Sequence, residues 1–376
     1  MDHDGGATLA VAEESAWASV DGGMDDPEEI RVIFCALDSF AQYAKVAHFN
    51  VTHLRRRSFY ALPQAHWKLL AAPPFNFLDT LDKVDEAIDT NAVLARAILK
   101  SGLTSFNALP PSASESDPPV MPHEWAGIAK HADIDKARST LRQFYRDWTE
   151  AGAEERAASY GPVMKALEKE TKASEGRRLK VLVPGAGLGR LVFELYAVPD
   201  IHPGTTLLNA PNLGSMSMCA ADFLCLYGDE DHEASYDAVA SVFFLDTAPN
   251  LIRYLEVIYH CLRPGGVLIN VGPLLWHFEN NAPGNHGHDD DGDGEHDFNN
   301  SSGIADPGSF ELSNDEVMAL VEKLGFVVES MEMGLRAPYI QDTDSMLQTV
   351  YNVTTWVARK PLEKKGTSDV KKTDET

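Results

Sequence analysis

The stretch VLVPGAGLGRLVFEL, Val181–Leu195, decides the fold because three glycines separate an apolar run from a helical pattern. Glycines between a strand and a helix let the backbone approach a bound nucleotide closely, although glycine also serves any tight connection. The spacing is G-x-G-x-G, at Gly185, Gly187 and Gly189, whereas dinucleotide-binding enzymes use G-x-G-x-x-G. No G-K-[ST] sequence follows, which excludes a phosphate-binding P-loop.

From Leu179 onward, predicted strands alternate with predicted helices. One helix follows the glycines, one ends at a Pro-Gly-Gly turn, and one begins with a capping pattern at Ser313. This alternation is typical of an α/β, doubly wound, mainly parallel, Rossmann-like sheet. The predicted strands are LKVLVP (179–184), MSMCAADFL (216–224, ending in Asp222), YDAVASVFFLDT (236–247, ending near Asp246), VLINVGPLLW (267–276), FVVESMEMG (326–334) and QTVYNVTTWVARK (348–360).

Before the glycines, the sequence pattern is helical. Helical periodicity runs from Pro27 to about Gly102 and resumes in DIDKARSTLRQFYRDWTEAG (133–152) and AEERAASYGPVMKALEKE (153–170). The predicted organisation is a disordered acidic N-terminus (1–27), a helical domain (28–175) with a Pro- and Ser-rich linker (104–122), an α/β domain (176–361) with a flexible acidic insertion (280–308), and a disordered tail (362–376).

The amino-acid composition limits the partners and the cellular location that we expect. The formal charge is −25, from 57 acidic and 32 basic residues, so the chain should repel nucleic acid. No apolar run is long enough for a membrane span and no signal peptide is visible, so we expect a cytoplasmic protein, and an additional nuclear location is left open. The cysteines form no Cys-x-x-Cys pair, which is typical of reduced packing residues. Assembly into a homodimer is left open.

Two further motifs identify the cofactor class. The aspartate-led strand YDAVASVFF (236–244) and the L-[KR]-P-G-G turn of CLRPGGVLIN (261–270) follow the glycine loop in the order found in S-adenosylmethionine-dependent methyltransferases. The tight glycine spacing suits a ribose and a methionine tail. A methyltransferase is therefore favoured over a dehydrogenase, and the expected cofactor is S-adenosylmethionine.

A more specific resemblance covers residues from about 30 to 361. The sequence resembles the carnosine N-methyltransferase family, which uses S-adenosylmethionine to methylate an imidazole nitrogen of histidine-containing dipeptides, giving anserine from carnosine. The segments that carry it are LRQFYRDWTEAGAEERAASYGPV (141–163), VLVPGAGLGRL (181–191), AADFL (220–224), VFFLDTAPNLIRYLE (242–256), LRPGGVLINVGPLLWHFEN (262–280) and DSMLQTVYNVTTWVARKP (344–361).

The resemblance implies roles for individual residues. For the substrate, Asp246 would pair with the dipeptide's ammonium group, His277 would orient the imidazole or accept its proton, and Tyr351 would pack against or hydrogen-bond the substrate. For the cofactor it implies Gln143, Arg146, Gly185, Gly187, Gly189, Asp222, Phe223 and Val242, with Asp222 and Phe223 at the adenine. Without the resemblance, a solvated helix face (Gln143, Arg146), a turn aspartate (Asp222), a core histidine (His277) and a core aromatic residue (Tyr351) are the simpler interpretations.

One segment departs from the family pattern. Residues 198–215, VPDIHPGTTLLNAPNLGS, are too few and too rich in Pro, Gly and Asn to supply a strand, its acid and a following helix. The sequence therefore predicts that the second strand is deleted, and with it the carboxylate that binds the ribose, at a cost of several kcal/mol in cofactor binding by the rough scale of charged hydrogen bonds. A catalytically impaired relic that acts as an interaction protein, a shortened transcript, and a protein-histidine methyltransferase all stay open.

The insertion after LLWHFE carries a second cluster of polar residues. His286, His288 and His296 stand among several aspartates and could bind a divalent metal. Their spacing matches no defined metal site, and the glycines between them favour a disordered acidic loop. No metal is predicted.

Overall fold

The computed structural model describes residues 27–106, 108, 118–175, 177–196, 216–219, 221–278, 308–339, 342 and 344–362. The predictions for the N-terminus, the tail, the segment 198–215 and the histidines of the insertion lie outside these residues. The chain divides between Gln143 and Phe144 into two compact units. None of the described helices is long and apolar enough to cross a membrane.

The first unit is helical, as the periodicity of the sequence predicts. Buried side chains of Tyr43, Ile88, Ala92 and Leu141 form one core cluster, and Leu37, Leu99 and Leu103 belong to another. Its elements are α1 (Pro27–Ala47), a π-helical turn (His48–His53), α2 (Leu54–Tyr60), α3 (Gln64–Ala71), α4 (Phe77–Ser105), a 3-10 turn (His123–Trp125) and the first part of α5 (His131–Trp148).

The second unit is an α/β sheet with strand order β1-β2-β3-β5-β4. Strands β1 to β3 run parallel, and β5 lies antiparallel to β3 and to β4. The elements are α6 (Ala153–Ala173), β1 (Val181–Leu182), α7 (Arg190–Tyr196), α8 (Phe223–Tyr227), β2 (Tyr236–Val242), α9 (Leu251–Cys261), β3 (Leu262–Gly272), α10 (Asn314–Lys323), β4 (Val327–Pro338) and β5 (Val350–Arg359). Short 3-10 turns occupy Glu230–His232 and Leu245–Thr247.

Helices cover both faces of this sheet, which confirms the predicted α/β, doubly wound class. Alternate side chains of β3 point to opposite faces, so Leu268 packs with α9 and α10 while Val267 and Ile269 pack with α6 and α7. Helix α10 begins with a capping box between Ser313 and Glu316, as its sequence predicts.

Two details differ from the sequence-based expectations. The segment MSMCAADFL was expected to be a strand, and this is wrong for its described residues: Met216–Cys219 are irregular and helix α8 begins at Phe223. Asp222 causes the difference, because its Oδ1 accepts the backbone N–H groups of Leu224 and Cys225 at 2.9 and 3.0 Å and so caps a helix. Helix α6 also belongs with the sheet, whereas the sequence groups it with the preceding helices.

Candidate functional site

The carboxyl ends of the parallel strands meet at one edge of the sheet in the second unit. In open α/β sheets this edge is where ligands bind. A pocket opens there, walled by the glycine loop after β1, by the last residues of β2 and β4, and by helices α5 and α6. Its polar and aromatic lining comes from Arg146, Ser159, Tyr160, Phe243 and Tyr339.

The glycine loop has a backbone that other residues adopt only with strain. Gly185, Gly187 and Gly189 have φ values of +60°, +56° and +75°. At Gly185 an added Cβ would lie 2.6 Å from the ring of Phe244, so a side chain cannot fit there. At Gly187 an added Cβ would be no nearer than 4.0 Å to another atom, the carbonyl oxygen of Gly185, and at Gly189 it would have no neighbour within 4 Å, which leaves room for a ligand beside the backbone. Gly185 and Gly187 line the pocket, as does Val242 at the end of β2.

Arg146 enters the pocket from the last turn of α5, and its guanidinium group is held in a fixed position. Asp147, which is only 1% exposed, accepts from Nε at 2.6 Å and from Nη2 at 3.0 Å. The ring of Tyr339 lies 5.8 Å from the guanidinium carbon. Gln143 is half-buried one turn earlier on α5, in the first unit, and its cofactor role stays a prediction.

Asp222 and Phe223 lie where the chain enters α8. The ring of Phe223 is buried and contacts Phe244 edge-on at 5.4 Å between centroids. Phe244 in turn packs against Gly185, so aromatic side chains connect the predicted adenine residues to the glycine loop. Asp222 uses Oδ1 for the helix cap, as the turn-aspartate interpretation expects. A cap of this kind leaves the second carboxylate oxygen outside its hydrogen bonds.

Asp246 and His277 are brought together at the ends of β2 and β3. The backbone N–H of His277 donates to the carbonyl oxygen of Asp246 at 3.2 Å. Asp246 is 2% exposed, and its Oδ2 accepts from the N–H of Leu275 at 2.9 Å. Burial raises the pKa of Asp246, and the nearby His277 opposes that rise. The imidazole of His277 is exposed, so the core-histidine interpretation is wrong.

Tyr351 is one of three aromatic rings in mutual contact beside the pocket. Its ring meets Phe243 edge-on at 5.8 Å and Tyr339 at 5.4 Å, and Phe243 stacks on Tyr339 at 6.3 Å. Burial, with the charge of Asp246 among the further causes, raises the pKa of Tyr351, so its hydroxyl stays protonated at neutral pH. We call Phe243, Tyr339 and Tyr351 the aromatic trio.

The sequence analysis missed Phe243, Tyr339 and Asp147. Phe243 has a φ of +50°, which is unusual for a bulky residue and typical of functional sites. Phe243 and Asp147 both lie in segments that carry the family resemblance. Hydrophobic periodicity alone, however, does not distinguish these two residues from their neighbours in the chain. Tyr339 follows β4 directly, and the antiparallel pairing of Ala337 with Tyr351 brings it to the pocket.

The residues 123–198 and 195–362 match the model of a protein family described as carnosine N-methyltransferase. The carnosine N-methyltransferase of Schizosaccharomyces pombe is 29% identical, over 89% of this chain and 97% of that protein. The mouse protein of the same name is 28% identical, over 86% and 85%, and the Drosophila melanogaster protein, carnosine N-methyltransferase unmet, is 30% identical, over 75% and 70%. A solved Burkholderia thailandensis 1,6-didemethyltoxoflavin-N1-methyltransferase is 19% identical, over 66% and 94%, with a TM-score of 0.30.

Proposed function

Because the chain belongs to the carnosine N-methyltransferase family, we propose that it transfers a methyl group from S-adenosylmethionine to an imidazole nitrogen of carnosine or a related histidyl dipeptide. The observation that carries this proposal is that two walls lie at the same edge of the sheet. The first wall lines the pocket and offers a fixed guanidinium group beside the glycine loop. The second wall lies next to the pocket and offers the buried carboxylate of Asp246 near Tyr351, whose ring contacts the pocket residues Phe243 and Tyr339.

The first wall fits the methionyl and adenosyl ends of the cofactor. Arg146 suits a carboxylate, because a guanidinium group donates strong charge-assisted hydrogen bonds to it. The backbone at Gly187 and Gly189 has open space in which a ligand can approach. Asp222 would accept from the adenine amino group, with Phe223 shaping that side of the site. When bound here, the cofactor supplies a methyl group on a positively charged sulfur.

The second wall suits a positively charged dipeptide that carries an imidazole. Asp246 is buried, and no Lys or Arg of the described residues lies within 4 Å of its carboxylate, so an ammonium group would relieve the cost of its charge. The aromatic trio offers ring faces and edges for packing an imidazole. Tyr351 adds a hydroxyl group that can donate a hydrogen bond.

His277 is proposed to orient the substrate ring and to accept its proton. An imidazole with its ordinary pKa is mostly neutral near pH 7, so one of its nitrogens already carries a free electron pair. The site then has to align that nitrogen and to take up the proton from the other one. The exposed side chain of His277, anchored through its backbone to Asp246, can reach a substrate without breaking a contact that the structure shows.

A scaffold without cofactor affinity is the second candidate function. The family match consists of two pieces that meet at residues 195–198, beside the segment in which the sequence lacks a ribose-binding acid. The break in the match supports the prediction that this chain lacks the end of the second strand and its ribose-binding acid. Cofactor binding in the active protein would then rest on the methionyl and adenine contacts, with lower affinity than a complete site gives.

Calorimetric titration with S-adenosylhomocysteine, followed by a methylation assay on carnosine read by mass spectrometry, separates these functions. We expect micromolar binding and a product heavier by one methyl group on the imidazole. A folded protein that binds no S-adenosylhomocysteine would instead be a scaffold. Cofactor binding with methylation of a protein histidine and none of carnosine would identify a protein-histidine methyltransferase.

A further inference from the structure

Among the described residues beside the pocket, Asp147 is the most deeply buried charged residue. It directly follows Arg146 in α5 and is 1% exposed. An ionised carboxylate this deep in the protein is costly unless it is paired and hydrogen-bonded. Its two oxygens are occupied by Arg146, and the hydroxyl of Tyr160 donates to Oδ1 at 3.2 Å.

The pairing leaves one nitrogen of the guanidinium group unused. Asp147 takes Nε and Nη2 of Arg146, and no hydrogen-bond partner for Nη1 occurs among the described residues. Because the guanidinium group is planar, fixing two of its nitrogens also fixes the third. The ring of Tyr339, whose centroid lies 5.8 Å from the guanidinium carbon, borders the group on another side.

The backbone that carries Arg146 is held as well. Arg156, on α6, donates from Nη1 to the carbonyl oxygens of Arg146 and of Thr149, the latter at 2.8 Å. The indole N–H of Trp148 donates to the carbonyl oxygen of Leu188 in the glycine loop at 3.2 Å. The last turn of α5 is therefore fixed both to α6 and to the loop that lines the same pocket.

From this geometry, and resting on the proposed function, we infer that Asp147 is a positioning residue, which holds Arg146 so that its Nη1 meets the carboxylate of the cofactor's methionyl group. Tyr160 supports Asp147 in the same role. Asp147 itself touches no ligand. Its effect is therefore specific to ligands that carry the carboxylate.

The test compares two probes that differ in this carboxylate alone: S-adenosylmethionine and its decarboxylated analogue. In Asp147→Asn the charge and one of the two acceptors for Arg146 are lost. We expect calorimetry to show S-adenosylmethionine binding weakened roughly 10- to 100-fold, the range of a charged hydrogen bond. Binding of the decarboxylated analogue should change less than about 3-fold by the same reasoning, because Arg146 has no carboxylate to meet.

Two further variants test whether a change in affinity reflects a general loss of structure. Asp135→Asn removes an exposed pair with Arg138, at 3.0 Å on the same helix, and should leave both affinities unchanged. Tyr160→Phe keeps the Asp147 carboxylate and loses only its hydroxyl partner, so we expect a selective loss of about 3-fold. It provides the measurement if Asp147→Asn does not fold.

Equal weakening of both probes, or no weakening of either, in variants that fold like the wild type would overturn the positioning role while leaving the proposed function intact. A wild-type protein that binds neither probe would overturn both proposals. Selective loss for the carboxylate-bearing probe alone establishes the role of Asp147.

Discussion

Each of the two units contains a network of charged side chains. The two networks differ in how completely their charged groups are paired with other groups of the protein. In the first unit, His48 of the π-helical turn contacts Asp85 through Nδ1 at 2.7 Å and Asp89 through Nε2 at 2.9 Å. Arg56 adds contacts of 2.6 Å to Asp85 and to Asp82. We call this the closed network, since every one of these charged groups has an opposite partner.

The pocket of the second unit is built differently. Arg146 keeps Nη1 without a partner among the described residues, and the buried Asp246 has a backbone donor but no Lys or Arg of that part of the chain within 4 Å. Both groups lie at the pocket edge of the sheet and keep hydrogen-bonding capacity that a ligand can use. The comparison teaches that charged residues alone do not identify a binding site. We expect ligands to bind at the charged groups whose pairing within the protein is incomplete.

The largest effect is expected for Asp246→Asn, which removes the negative charge of the Asp246 side chain. The loss of an ion pair to the substrate's ammonium group should lower kcat/KM for carnosine by about 100-fold or more, on the scale of buried charge pairs. Steady-state kinetics with carnosine measures this. A variant with full activity would show that Asp246 has only a structural role.

The same variant should not lose stability. Burial raises the pKa of Asp246 in the folded state, so the folded protein binds its proton more tightly than the unfolded chain does. The free energy of unfolding therefore falls as the pH rises from the unfolded pKa through the folded one, and the ionised carboxylate costs stability at pH 7. Because asparagine carries no charge, we expect Tm of Asp246→Asn at pH 7 to equal or exceed that of the wild type.

A somewhat smaller loss is expected for His277→Ala. Removing the proposed orienting group or base should cost about 100-fold in kcat, at the lower end of the range for proton-transfer groups. Because His277 is exposed and its backbone makes the contact with Asp246, the fold should not change. Affinity for S-adenosylhomocysteine, measured by calorimetry, should stay the same. Retention of full kcat would remove His277 from the mechanism and leave the Asp246 carboxylate and the Tyr351 hydroxyl as the polar groups proposed for that wall.

Tyr351→Phe should have a modest effect. The phenylalanine ring keeps the contacts of the aromatic trio with Phe243 and Tyr339, and only the hydroxyl group is lost. One neutral hydrogen bond to the substrate is worth about 1 kcal/mol, so KM for carnosine should rise roughly 5-fold with little change in kcat. Tyr339→Phe is the matched control for a tyrosine in the same cluster. An unchanged KM would mean that Tyr351 acts through packing alone.

These residues also show what the sequence could and could not predict. The glycine loop was predictable because the positive φ of Gly185 leaves a local trace in residue type. Asp246 and His277 were assigned through the resemblance to the carnosine N-methyltransferase family, and the sheet explains why the two residues meet, because they follow β2 and β3, whose carboxyl ends share an edge. The glycine loop was therefore predictable from local sequence, whereas Asp246 and His277 were predictable only from the resemblance.

The missed features depend on contacts that the local sequence does not encode. Tyr339 reaches the pocket through the antiparallel register of β4 and β5, which sequence patterns do not specify. The segment ending in Asp222 was assigned to a strand because its apolar residues suit either structure, and the cap formed by Asp222 decides for a helix. Asp147 lies in a helix beside Arg146, and only its burial with Tyr160 separates it from a solvated acid.

The smallest effect is expected in the closed network, where His48→Gln should change stability and leave activity unaltered. Hydrogen bonds to Asp89 and Asp85 raise the pKa of His48 above its ordinary value near 6.5. Its stabilisation is therefore complete below that value and is lost as the pH rises through the higher folded pKa. We expect Tm of the variant to fall by about 1–3 °C at pH 5.5 and the gap to close by pH 9, on the scale of partly exposed ion pairs. His53→Gln changes the other histidine of the same π-helical turn, which stacks on Phe49, and is the matched control. If His48→Gln instead lowered carnosine turnover, the closed network would serve the reaction, and incomplete pairing would no longer distinguish the binding region from the rest of the molecule.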